Sequence, residues 1–279
     1  MDEMTAIQPS RRRMLGGLLG GVGALALAAC GDAKTATNAA SSAAPSTTAG
    51  ASTTTTATTA TATSTTASAA ASSCTKIPEE TAGPYPGDGT NGPNVLTQTG
   101  VVRSDIRSSF GSSTTVAKGV ALTIALTIVD RSTCKPMAAS AVYLWHCDMG
   151  GNYSMYSQGI TSENYLRGVQ ETDANGMVTF KTIFPAAYSG RWPHIHFEIF
   201  PSLAVATNGK NKKATSQLAL PEDTCKLVFA TVGYEQSVRN LAQSSLKSDN
   251  VFSDGWDTQT PTITGSVASG FTAALNVGV

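Results

Sequence analysis

From Ala33 to Ser73 the chain consists almost wholly of Ala, Ser and Thr, with no aromatic residue and a single charge at Lys34. Such a stretch cannot bury enough apolar surface to offset its chain entropy, so it predicts a disordered tether rather than part of a fold. The folded body is therefore expected over residues 74–279, about 205 residues, which suffices for one hydrophobic core. The segment before the tether reads as an address. Ser10-Arg11-Arg12-Arg13-Met14-Leu15 resembles a twin-arginine export signal, followed by an apolar run from Met14 to Ala29. That run is short for a spanning helix, which needs ~20 apolar residues. It ends in Leu27-Ala28-Ala29-Cys30, which resembles a bacterial lipoprotein box with Cys30 as the lipidated residue. The expected organisation is a signal peptide over 1–29, a lipidated Cys30 and tether over 30–73, and a domain over 74–279, exported and held to the extracytoplasmic side of a bacterial membrane by the lipid alone.

Charge narrows the partners. The 19 basic side chains balance 19 acidic ones, and loss of residues 1–29 removes three arginines and two acids, leaving a net charge of about −1. Neutralising nucleic-acid phosphates needs a basic surface, so no nucleic-acid partner is expected. Four cysteines follow Cys30: Cys74, Cys134, Cys147 and Cys225. Outside the cytoplasm that even number predicts two disulfides, in any of three pairings. A cysteine metal site is disfavoured because no Cys-x-x-Cys spacing occurs.

The domain reads as all-β. Val120–Val129 alternates and is rich in branched residues, and Ala141–His146, Met177–Ile183 and His194–Phe200 read as further strands between polar turns. Lys226–Ala230 and Gly270–Val277 carry weaker strand signals, and Glu235–Lys247 suggests a short helix. Short strands in this rhythm predict a β-sandwich of two packed sheets with long active-site loops and little helix.

With only three histidines in the chain, each is informative. His194 and His196 are one residue apart within a strand, so both side chains leave the same face. Two adjacent imidazoles are costly to bury unless something uses their lone pairs, and a metal ion does so directly. Tyr188 and Arg191 stand just upstream, and Tyr153 follows the Gly-rich turn after Trp145-His146. The ordered segments Gly151-Asn152-Tyr153-Ser154, Leu166-Arg167-Gly168, Thr172-Asp173-Ala174-Asn175-Gly176, Pro185-Ala186-Ala187-Tyr188 and Arg191-Trp192-Pro193-His194-Ile195-His196 together resemble the intradiol ring-cleavage dioxygenases. Glu80-Thr81-Ala82-Gly83-Pro84-Tyr85 and Arg103-Ser104-Asp105-Ile106 extend the likeness upstream, so that it covers residues 77–230.

The resemblance implies Fe(III) held by Tyr153, Tyr188, His194 and His196, with Tyr188 and His196 axial. Phenolate is a hard anionic donor suited to ferric iron. It also implies a small catechol-type substrate cleaved with O2 to a muconate-type diacid. Arg191 then stabilises charge on the ring, Tyr188 takes up a substrate proton, and Gln217 stands where the family often has an active-site glutamine. Tyr85 is a candidate pocket wall, and His146 a core histidine. Two departures from the family pattern stand out: Ala186-Ala187 replaces a frequent glycine before Tyr188, and only five residues separate Tyr188 from His194, as in exported members. No helical dimerisation segment precedes the domain, and no oligomeric state is expected. The competing readings are a non-catalytic β-sandwich binding module and a zinc hydrolase using Glu198 as base.

Overall fold

A strand forms where Leu122, Ile124, Leu126 and Ile128 alternate with less buried neighbours, since a period of two puts all four on one face. A computed structural model describes residues 74–279, and this strand, β1, spans Ala121–Val129. The export signal, the lipidated Cys30 and the tether lie outside the described residues. Seven further strands follow: β2 Ala141–Trp145, β3 Arg167–Glu171, β4 Met177–Ile183, β5 His194–Phe200, β6 Ala214–Ala219, β7 Thr262–Ser266 and β8 Gly270–Gly278. They build two four-stranded sheets, ordered β4-β1-β8-β7 and β3-β2-β5-β6. Pairing is antiparallel except between β1 and β8. The expected all-β sandwich is the fold of the described domain.

Two short helices stand between β6 and β7: α1 over Glu222–Phe229 and α2 over Glu235–Leu241. Helix α1 corrects the strand expected at Lys226–Ala230. Pro221 sets the entry to the helix, and Glu222 and Asp223 place negative charge in its first turn. Cys225, Val228 and Phe229, at helical spacing, are buried together. The branched and aromatic residues that suggested a strand are the helix's core face. Helix α2 begins where expected and ends at Leu241 rather than Lys247.

The second sheet positions everything that follows, because both of its faces are covered. Val142, Leu144, Ile195, Phe197 and Ile199 point into the main apolar core between the sheets. Their alternating neighbours Tyr143, Trp145, His194, His196 and Glu198 point the other way and are also buried. There they lie under long loops, whose Val95, Leu96, Val101 and Ala206 join a second apolar cluster with Tyr143 and Trp145. A polar row inside a buried face is where chemistry can be isolated from water.

The cysteines depart from the sequence expectation. Cys74 and Cys134 form a disulfide, whereas Cys147 and Cys225 are buried free thiols. The latter two belong to different apolar clusters, so no cross-link can join them without rearranging the core. Burial pushes the Cys147 thiol up to about 12. The observed bridge spans 60 residues, and closing a loop of that size stabilises a fold by about 4 kcal/mol. Cys134→Ser is therefore expected to lose stability of that order in denaturant titration. Non-reducing peptide mapping should recover Cys74–Cys134 as a cystine and leave Cys147 and Cys225 unmodified until the protein unfolds.

Candidate active site

Strand pairing lays the site out in one line. Arg167 on β3 is paired with Trp145 on β2, Trp145 with His196 on β5, and His196 with Gln217 on β6. Neighbouring side chains in such a row lie about 5 Å apart. Trp145 accordingly stacks on the imidazole of His196, with centroids 4.8 Å apart and planes 5° from parallel. His194 stands two residues back on the same face. Tyr153 is carried by the loop after β2 and Tyr188 by the loop after β4.

The structure brings the four expected ligands together as a closed ring. The Tyr153 hydroxyl lies 3.4 Å from that of Tyr188 and 3.4 Å from His196 Nε2. His194 Nε2 lies 3.1 Å from the Tyr188 hydroxyl and 3.1 Å from His196 Nε2. Because His194 Nδ1 faces the carbonyl of Trp192, an acceptor only, that nitrogen carries the proton and Nε2 presents a lone pair. Burial, reinforced by Arg191, lowers the His194 pKa to about 3, and burial beside His194 drives that of His196 down as well. Burial likewise pushes Tyr188 up to about 12 and raises Tyr153 well above the usual phenol range. The neutral phenols can donate to the imidazoles, but the two Nε2 atoms meet at 3.1 Å, a crowding that a shared cation would relieve. Ligands about 2 Å from a metal lie roughly 3 Å from one another, which is the spacing seen. Among the described residues no group of three or more His, Cys, Asp or Glu side chains is placed to hold a metal. The candidate centre depends on its two phenols.

Arg191 lies at the rim of the ring. Its Nη1 is 3.4 Å from His194 Nε2, its Nη2 donates to Gln217 Oε1 at 2.7 Å, and its Nε donates to Asp249 at 2.9 Å. Gln217 in turn donates to the Thr81 carbonyl. The segment Thr81–Tyr85 forms a lip over the site. Gly83, at φ +69°, comes so close that a Cβ there would lie 3.4 Å from His196 Cε1. Tyr85, 40% exposed, packs on Tyr153 with ring centroids 5.1 Å apart. His146 is bound at both nitrogens, to the Cys147 carbonyl and the Thr182 hydroxyl, and so has no lone pair free for a metal. Glu198, the base a zinc hydrolase would need, is committed to Lys212 and Thr215 instead.

Two residues brace this arrangement: Asp249, which carries no signal in the sequence, and Arg167, whose motif does not by itself reveal its role. Asp249 is buried and lies 58 residues from its partner Arg191. Arg167 is 1% exposed and donates to no carboxylate. Its guanidinium satisfies the carbonyls of Tyr85, Pro86 and Ser154 and the hydroxyls of Tyr143 and Ser154. It thereby ties the lip to the loop that carries Tyr153. Leu166, immediately before it, is held at φ +58°, a conformation costly for a branched residue. The Leu-Arg-Gly motif suits this role, since a positive φ and a buried arginine need neighbours that tolerate them.

Two phenols and two imidazoles thus converge in a β-sandwich beneath the Thr81–Tyr85 lip, a donor set suited to a metal ion. A family model described as Dioxygenase matches residues 91–231, half of the chain, and the chain belongs to the intradiol ring-cleavage dioxygenases. It is 29% identical to an intradiol ring-cleavage dioxygenase of Tetranychus urticae, over 73% of this chain and 94% of that one, with a TM-score of 0.56. A 55-residue stretch is 36% identical to catechol 1,2-dioxygenase 2 of Acinetobacter lwoffii, covering 20% of either chain. The match thus spans about a fifth of that curated relative.

Removing the Arg167 side chain orphans several buried carbonyls at once. Arg167→Leu is expected to cost about 3 kcal/mol of stability. It should also free the lip, read as faster proteolysis between residues 81 and 96 under native conditions.

Proposed function

We propose that the protein is a ferric-iron intradiol dioxygenase that opens catechol-type rings with O2 to muconate-type diacids. The ring of four donors, Tyr153, Tyr188, His194 and His196, carries this reading. Their chemistry fits Fe(III): two hard phenolate oxygens favour the ferric state, and two imidazoles complete a set that zinc rarely takes. The bound ion would act as a Lewis acid that grips both catechol oxygens and makes the ring reactive toward O2.

The protein's own groups supply the rest. Tyr188 is the more exposed of the two phenols, and burial raises its pKa, so its oxygen would be a ready acceptor for a catechol proton. Arg191 Nη1 points toward the donor ring, where it offers fixed positive charge to a ring gaining negative charge. Gly83 lets the lip close onto His196 without a side chain between them, and Tyr85 provides an aromatic wall. Arg191 and the buried surroundings keep both histidines neutral and therefore competent to bind metal.

The setting is part of the proposal: export by the twin-arginine route, cleavage before Cys30, and anchoring by the lipid on that cysteine. The reading is supported by the Arg-Arg-Arg signal, the Leu-Ala-Ala-Cys box and a disulfide in the domain, since disulfides persist outside the reducing cytoplasm. No helix among the described residues is long and apolar enough to cross a membrane.

The purified protein is expected to contain iron, to show the visible absorption of tyrosinate bound to Fe(III), and to change colour when catechol is added without oxygen. Tyr188→Phe should shift that band and abolish most turnover against catechol, protocatechuate or hydroxyquinol. A preparation that stays colourless after ferric reconstitution would overturn the reading. Separately, Cys30→Ser should move the protein from the membrane fraction to the soluble fraction, and an unchanged distribution would remove the lipid anchor.

A further inference from the structure

The segment between α2 and β7 lies beyond the residues matched by the family, yet it reaches the heart of the site. Asp249 has no side-chain exposure. One carboxylate oxygen accepts from Arg191 Nε at 2.9 Å and from the Trp192 backbone N–H at 2.7 Å. The other accepts from the backbone N–H groups of Val251 and Phe252. Four donors on one buried carboxylate leave it no freedom to turn. Among the described residues, Arg191 is the side-chain cation it meets.

The consequence for Arg191 is geometric. A guanidinium on a flexible stem has many rotamers, and a rim position would let most of them swing into water. Here Nε is held by Asp249 and Nη2 by Gln217, on two edges of one rigid plane. With both edges fixed, Nη1 is left facing the donor ring. The same segment steadies the second anchor. Gln259 donates to the Gln217 carbonyl and accepts, through its own carbonyl, from Ala219 N–H on β6. Because Asp249 also grips the Trp192 amide, it fixes the backbone two residues ahead of His194.

We infer that Asp249 is a positioning residue for ring cleavage, locking the Arg191 guanidinium in the orientation that directs Nη1 at the substrate. This rests on the dioxygenase reading, in which Arg191 meets the ring. Asp249 touches neither the donor atoms nor the space above them. It acts through Arg191, and Asp249→Asn, which keeps an oxygen to accept the Trp192 N–H, should therefore slow turnover with the metal's ligands left in place. A 1 Å error in a charge-stabilising group costs on the order of a hundredfold in rate.

The test uses the full-length protein in two arms. In the first, gallium(III) replaces paramagnetic iron and the Arg191 Nε–H signal is followed by side-chain 15N NMR, assigned by its loss in Arg191→Lys. Wild type should give one sharp peak that exchanges slowly with water, and folded Asp249→Asn should lose it. A fast-exchanging Arg191 signal in wild type would overturn the lock, even if no Asp249 variant folds. In the second arm, iron-loaded Asp249→Asn should keep the visible band of the wild type. Its kcat should fall roughly tenfold to hundredfold while KM moves less than about threefold. An undiminished kcat beside an active wild type would overturn the inference. A wild type with neither colour nor turnover would instead overturn the dioxygenase reading, while the NMR arm would still judge the lock.

Discussion

Four lone-pair donors, each within 3.4 Å of its two neighbours around a ring, are an arrangement that a protein holds only against an electrostatic penalty. Neutral phenols can donate to the imidazole nitrogens at 3.4 and 3.1 Å, yet the two Nε2 atoms still face each other at 3.1 Å and the ring stays crowded with acceptors. Relieving that crowding by charging an imidazole is opposed by burial and by two nearby arginines. A trivalent ion would reverse the balance, offsetting the desolvation cost of both phenolates and giving the four lone pairs a shared partner. Binding free energy at such a site is also folding free energy for the loops that carry the ligands.

The fold meets this constraint by making the donor positions rigid before any ion arrives. His194 and His196 sit in a strand hydrogen-bonded on both sides, with Trp145 stacked flat against the second imidazole. The tyrosines come from loops, which are softer, and each loop is stiffened differently. That of Tyr153 is tied to the lip by Arg167. That of Tyr188 is pinned at Ala187, whose N–H and carbonyl meet Ser237 and Asn240 of α2. Arg167 is satisfied by carbonyls and hydroxyls alone. With no carboxylate in its hydrogen bonds, its charge stays effective at His196, where it helps keep the imidazole neutral.

Much of this was legible in the chain. The period of two in β1, β4 and β5 marks strands without ambiguity, and the His-x-His spacing settles that both imidazoles share a face. The parts that were not legible fail for identifiable reasons. Strand β6, Ala-Thr-Ser-Gln-Leu-Ala, is fully buried but polar, because its neighbours rather than its composition exclude water. Helix α1 carries branched and aromatic residues that favour strands locally, and tertiary burial of one face decides otherwise. Four cysteines suggested two bridges because parity is visible in a sequence and distance is not; Cys147 and Cys225 lie in separate clusters. Asp249 is an ordinary acidic residue until the fold carries it across 58 positions to Arg191.

The donors and several of the elements that brace them come from different parts of the chain. Residues 91–231 match the family and carry all four donors with Arg191 and Gln217. The elements that close over and brace them come from outside that span: Thr81, Gly83 and Tyr85 from the N-terminal side, Asp249 and Gln259 from the C-terminal side. The donor set can tolerate little change, since one wrong ligand loses the ion. The bracing segments are under a looser constraint, because many backbones can offer a carbonyl to Gln217 or a carboxylate to Arg191. Differences in pocket shape and turnover among related chains should therefore arise chiefly in these flanking segments, where a new side chain alters the lip or the aim of Arg191 while the four donors stay in place.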